Sequence, residues 1–397
     1  MRVLHLFSNH KLTGPAELAL DTTRYLHESK LEVDSGPESE NGRVQGAFVP
    51  GWHPSDPTWV SDLARERGVQ LVEEPGLRLS KHFHVLRTPR SAFALRRYLI
   101  RENIALIHCH MPNDHLIASL ARTIGLAERR VPIVRTVYDG SWDKTGWRQR
   151  WTLRKTCDHL IYFSRRLEDA LSSGLVEAPR RTLLEPPIDT RRFKPDAELK
   201  REGRRSLNIE DHAFVVGIVA RMQTHRRFEV LLEAIARAAR ELEGFRFVII
   251  GRGTNQEKVA REPVRRMGLD STVVFSGYRS GDDYLAALHS MDAKVFLVPG
   301  SDGTCRAVRE ALACGIPLIA ANRGILPEIV RDGESGCVVD DTPENLSRAM
   351  IDFARDPEKL ESMARTAREE AERRFGYESY VNSILRIYKT VLRASAH

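Results

Sequence analysis

PGSDGTCRAVREALACGIPLIAANRGILPEIV, residues 299–330, decides the fold. An apolar run, AKVFLVP (293–299), leads into it, and Ser301, Asp302, Gly303 and Thr304 follow that run at once. The next residues have helical spacing. Thr304 suits the N-cap, Gly315 suits the first position past the helix, and Pro317 prevents its continuation. PLIAA (317–321) then restarts an apolar run. A strand, a glycine loop, a helix and another strand in so short a span is the unit of a parallel α/β layer.

The same alternation continues outward in both directions. VLHLF (3–7), ALIHC (105–109), PIVRTVY (132–138) and HLIYFS (159–164) read as strands of a first half. FVVGIVA (214–220), FRFVIIG (245–251) and VVFSG (273–277) read as strands of a second, with amphipathic stretches such as RFEVLLEAIARAARELE between them. The expectation is an α/β fold of two Rossmann-like, doubly wound domains. Residues 30–60, rich in Gly, Pro, Ser and Asp, read as loop. EPPIDTRRFKPDAELKREGRR (185–205) marks the break, giving an N-terminal domain over 1–195 and a C-terminal one over 206–372. The amphipathic end, 373–397, is expected to pack back across the junction.

At 397 residues the chain exceeds one ordinary core and suits two domains of roughly 150–200 residues. No stretch reaches the roughly 20 apolar residues of a membrane span. The apolar start is short, and reads as a first strand rather than a secretory segment. The cysteines, Cys109, Cys157, Cys305, Cys314 and Cys337, lack metal-ligand spacing and read as reduced thiols of a cytoplasmic protein. A net charge of +7 favours anionic partners, a phosphorylated ligand or an anionic membrane surface. No RNA-binding signature accompanies it, so nucleic acid is not expected.

Four groups of residues bear on chemistry. The helix opening after Gly303 offers free N–H groups to an anion, with Asp302 at its mouth and Glu310 eight residues on, set to serve two separate hydroxyl-bearing parts of one ligand. Against this stands an ordinary capped helix with an exposed glutamate. Arg221 and Arg226 flank a loop at a strand end, where two guanidinium forks suit a diphosphate; two solvated arginines are the plainer alternative. His108 and His110, alternating at a strand end, are expected on opposite sides of the sheet, one in the core and the other reaching a ligand. His-x-His also suits a metal, but no carboxylate cluster supports one. Gly14 in TGPAE (13–17), and Gly251 and Gly253 in GRG, mark turns that let backbone approach a ligand. No G-x-G-x-x-G follows the first strand, which argues against a dehydrogenase.

In this order the segments resemble family 4 of the retaining GT-B glycosyltransferases. Asp302 to Glu310 stands where that family has E-x7-E, Ala313, Gly315 and Pro317 match its A-x-G-x-P turn, and Arg221 with Arg226 match its Arg-x4-Lys element. His110 matches its strand-end histidine and TGPAE its first glycine loop. The GRG turn and FSGY, ending at Tyr278, fit its nucleotide side. The resemblance implies a nucleotide-diphosphate sugar donor, UDP- or GDP-linked, in an interdomain cleft, with no cofactor and no divalent metal. Arg221 and Arg226 would hold the diphosphate, Glu310 the ribose, and Asp302, Gly303, Thr304 and Cys305 the sugar and phosphate. His110 would lie near the reacting sugar. The acceptor implied is a glycan or lipid-linked precursor of cell-surface polysaccharide or lipopolysaccharide, built at the inner face of a membrane. Asp302 is one methylene shorter than the family's glutamate and Arg226 replaces its lysine. A binding-only descendant, or a GT-B relative such as a nucleotide-sugar epimerase, stays open at this point.

Overall fold

A computed structural model describes residues 1–28, 44–52, 59–123, 130–138, 146–165, 167–168, 176, 180–299 and 305–395. The chain divides into two compact units: Met1–Pro186 with Tyr377–His397, and Pro187–Gly300 with Cys305–Gly376.

Unit 1 runs β1 (Arg2–Leu6), α1 (Gly14–Glu28), β2 (Gln45–Val49), α2 (Trp59–Glu66), α3 (Arg87–Arg101), β3 (Leu106–Cys109), α4 (Pro112–Thr123), β4 (Ile133–Val137), α5 (Trp147–Lys155), β5 (His159–Tyr162) and β6 (Arg181–Leu183). Its strands form one sheet in the order β2-β1-β3-β4-β5-β6, parallel throughout. Every residue of β3, β4 and β5 is buried, as expected of a sheet covered on both faces. The stretch read as loop therefore contains a strand, β2; residues 29–43 and 53–58 lie outside those described.

Unit 2 runs α6 (Ala197–Ser206), β7 (Phe214–Val219), α7 (Phe228–Glu241), β8 (Phe245–Ile250), α8 (Glu262–Arg266), β9 (Val273–Gly277), α9 (Gly281–His289), β10 (Ala293–Phe296), α10 (Arg306–Ala313), β11 (Leu318–Ala321), α11 (Leu326–Ile329), β12 (Gly336–Val339), α12 (Pro343–Arg355) and α13 (Pro357–Phe375). Its sheet order is β12-β11-β10-β7-β8-β9, again parallel. Proline opens α12 and α13, whose N-caps Thr342 and Asp356 accept from Asn345 and Lys359 N–H. Gly315 ends α10 with φ +68, the left-handed conformation that a helix stop uses.

The last helix, α14 (Tyr377–Ser395), belongs to unit 1. Its apolar face, with Ile384 and Tyr388 fully buried, packs with Val3, Leu26 and Val134, and Tyr377 donates to Asp21 at 2.7 Å. No helix among the described residues is long and apolar enough to cross a membrane.

Candidate functional site

In each sheet the strand order reverses at one point, and the carboxyl ends flanking it form the crevice where open α/β sheets take ligands. In unit 2 that point lies between β10 and β7. Because β10, β7, β8 and β9 are parallel neighbours, the residues just past them share one edge. Arg221 follows β7 and is exposed. Arg226 ends a short 3-10 turn, and its Nη1 donates to Val298 O, past β10, at 2.8 Å. Gly251 and Gly253 follow β8. A Cβ on Gly251 would lie 2.2 Å from Ala220 O, and one on Gly253 2.1 Å from Met222 O. The loop after β8 thus rests directly on backbone after β7, and only glycine permits that approach. Gly251 N–H donates to Gly277 O at 2.8 Å, tying in the end of β9. Tyr278 is 63% exposed, with the Arg252 guanidinium 4.8 Å from its ring centroid.

α10 starts at Arg306, preceded by Cys305 in the left-handed region, φ 39 and ψ 45. A non-glycine residue held there is strained, a state that concentrates at ligand sites. Asp302, Gly303 and Thr304 lie outside the described residues. Glu310 is buried on the second turn. Its Oε2 accepts from Tyr284 OH at 2.6 Å and its Oε1 from Arg306 Nε at 2.7 Å. An ionised carboxylate has about four lone-pair sites, and these two bonds use two of them. Burial, with the Glu310 charge beside it, pushes the Tyr284 hydroxyl well up. Beneath the helix, Lys294 on β10 is fully buried and donates to Ala307 O. Burial lowers it to about 8, and Glu310 works against that shift. Sequence reading missed Lys294, although a lysine inside a buried strand was its signal.

In unit 1 the order reverses between β1 and β3, beside Gly14, the first residue of α1, and His110. The expectation for His108 and His110 is corrected here. Residues two apart on a strand share a face, and their rings stack with centroids 4.4 Å apart. His5 Nδ1 meets His110 Nε2 at 3.0 Å. His110 Nδ1 meets Tyr138 OH at 2.6 Å. His108 bonds Tyr388 OH at 2.6 Å and Thr136 Oγ1 at 2.7 Å. His110 is 1% exposed. Burial keeps all three rings neutral, lowering His5 to about 3 and the others well below their ordinary range. One ligand nitrogen from each lies within 4.8 Å of the others. His5 Nε2 has no hydrogen-bond partner among the described residues, but a cation there would displace partners already held by both nitrogens of His108 and of His110. His5, in VLHLF, was not singled out in sequence.

The predicted residues thus fall into two sets. Arg221, Arg226, Gly251, Gly253 and Tyr278 share one edge of the unit 2 sheet, with Cys305 just before α10 and Glu310 on it. Gly14 and His110 belong to unit 1.

Two family models match: "Glycosyl transferases group 1" over residues 200–370 and "Glycosyltransferase Family 4" over 48–192. The chain is similar to a GDP-mannose-dependent alpha-(1-6)-phosphatidylinositol monomannoside mannosyltransferase of Mycobacterium tuberculosis, 26% identical over 81% of this chain and 83% of that one. The counterpart from Mycolicibacterium smegmatis is 28% identical over 60% of this chain and 66% of that protein. Among solved structures, HepE of Anabaena in complex with UDP superposes with a TM-score of 0.78 at 17% identity, covering 98% of this chain and 100% of that one. That likeness concerns the fold.

Proposed function

Since the chain belongs to family 4 of the GT-B glycosyltransferases, we propose that it transfers a sugar, with retention of configuration and without a divalent metal, from a UDP- or GDP-linked donor. The observation that carries this is the pair of arginines at the switch point of the unit 2 sheet, beside two glycines that let the β8 loop pack directly on the backbone after β7. A diphosphate placed there meets the Arg221 fork and the Arg226 guanidinium held against Val298 O. Both stabilise the negative charge that grows as the sugar–phosphate bond breaks. Glu310 holds the ribose hydroxyls. Asp302, Gly303, Thr304 and Cys305 take the sugar and phosphate at the opening of α10, and Tyr278, Gly251 and Gly253 flank the nucleotide. The acceptor oxygen bonds to the anomeric carbon on the face the diphosphate leaves, and its proton passes to the departing phosphate oxygen. Gly14 and His110 belong to the acceptor-side domain, where His110 acts near the reacting sugar only by exchanging its bond to His5. The mannosyltransferase relatives, named for a phosphatidylinositol mannoside, favour a glycan or lipid-linked acceptor, which we place at the cytoplasmic face of a membrane.

Thermal unfolding with UDP, GDP, ADP and their sugar conjugates, in the presence of EDTA, tests the reading. A nucleotide at 100 times its Kd stabilises the fold by about 2.7 kcal/mol. One nucleotide series is expected to raise Tm in the wild type and not in Arg221→Ala. No shift with any nucleotide, or an equal shift in the variant, overturns the site. The anomeric configuration of the product, read by NMR coupling, tests retention.

A further inference from the structure

Most of the exposed large apolar side chains among the described residues gather on one side of unit 1. They are Val85 and Leu86, 74% and 72% exposed, Phe93 and Ile100 on α3, 55% and 58%, and Trp147 and Trp151 on α5, 73% and 41%. Right-handed crossovers in a sheet ordered β1-β3-β4-β5 place α3, α4 and α5 on one face, with α4 in the middle and mostly buried. The outward stripe of α3 reads Leu86, Arg90, Phe93, Arg97, Ile100, at steps of four and three. Apolar residues therefore recur every seventh position with an arginine between each pair. α5 repeats the chemistry, with Trp147 and Trp151 one turn apart among Arg148, Arg150, Arg154 and Lys155.

No Asp or Glu occurs in residues 77–101 or 147–155, which carry seven and four Arg or Lys; from outside these stretches Glu74 pairs with Arg97 and Arg101, and Glu102 with Arg101. The two helices join in one surface, since the Arg148 guanidinium lies 4.3 Å from the Phe83 ring centroid in the segment before α3. That segment is held in place. Asn113 Nδ2 donates to Ser80 O at 2.6 Å and to His82 O at 3.3 Å, and His84 N–H donates to Thr88 Oγ1 at 3.0 Å. Its apolar tip, Val85 and Leu86, is presented to solvent from a fixed base.

We infer that this α3–α5 surface docks unit 1 on an anionic lipid bilayer. Apolar residues of this size flanked by arginines, with aromatic rings that sit at headgroup depth, are the composition of an interfacial helix. Anionic headgroups attract the surface's excess positive charge in addition. A second copy of the chain fits poorly, because a helix of the same kind laid against α3 would set arginine against arginine. RNA would meet Val85, Leu86 and Ile100 with nothing to stack or pair. This inference deepens the membrane side of the proposed acceptor class and does not depend on donor chemistry.

The test is co-sedimentation of the full chain with vesicles of phosphatidylcholine alone and of phosphatidylcholine with phosphatidylglycerol. Binding is expected to the mixed vesicles, weakened by salt. Arg90→Ala should lower the partition coefficient about fivefold, the effect of one surface cation. Phe93→Ser with Trp147→Ser should lower it by more than tenfold. These side chains are exposed, so an unchanged Tm confirms folding; an unfolded double variant leaves Arg90→Ala and the salt series to decide. Equal binding to both vesicle types, no binding, or wild-type binding by the variants overturns the inference. So does protein dimerisation or RNA retention lost in the same variants. Vesicle binding without nucleotide stabilisation would sink the donor reading and leave the surface standing; the reverse result separates them the other way.

Discussion

The two sheets share an architecture but differ at their reversal points. In unit 2 the carboxyl ends present an exposed cation beside closely packed backbone: Arg221 in solvent, with Gly251 and Gly253 pressed against Ala220 and Met222. In unit 1 the corresponding place is filled by His5, His108 and His110 with Tyr138 and Tyr388, desolvated and neutral. One fold thus supplies a wet electrostatic site and a dry hydrogen-bonded plug. Strand order decides where a crevice lies, and the side chains at the strand ends decide whether charge can be used there.

Acid should separate the two units most widely. The buried rings of His5, His108, His110 and His115 are neutral in the fold but titrate near 6.5 once unfolded. The unfolded chain then binds the protons, so stability falls as pH drops below 6.5 towards the lowered native values, about 3 for His5. Each ring costs about 1.4 kcal/mol per pH unit in that window. Asp114, pushed up to about 7 by burial, works the other way and offsets one ring. Hydrogen exchange of the full chain at pH 7 and pH 5 should show unit 1 losing protection first; equal loss in both units breaks the contrast.

Next in size is Arg221→Ala, expected to lower kcat/KM by about 10²–10³-fold without moving Tm, since the side chain is exposed. A stability loss instead would mean that the cation serves the fold. Gly253→Ala has the opposite signature. Its Cβ meets the Met222 carbonyl, and denaturant unfolding should show a loss of about 3 kcal/mol. Tyr388→Phe, the smallest effect, leaves His108 Nδ1 without its partner and should cost about 1–2 kcal/mol, with unit 2 protection unchanged. A neutral result would mean that the plug re-pairs internally.

What the sequence disclosed follows the same physics. Central strands such as FVVGIVA and FRFVIIG are continuous apolar runs because both faces are covered. The strands that escaped notice, β2, β6 and β12, all lie at sheet edges, and β6 is three half-buried residues, RTL. Arg221, Arg226 and Glu310 stood out through local spacing. Tyr284 and Lys294, the groups that set Glu310 in place, contact it or its helix from elsewhere in the chain, and no local pattern carries that. The error over His108 and His110 was one of strand period.

The final helix has a consequence for the order of assembly. α14 supplies Tyr388 to His108 and apolar surface to β1 and β4, yet it leaves the ribosome after every element of unit 2. Domains ordinarily fold as they emerge, the N-terminal one first. Here the half that is translated first lacks part of its own interior until the half translated second has been completed. A nascent chain stalled before Tyr377 should therefore carry a finished second unit behind an unfinished first one, and chaperone or protease attack should fall on the older half.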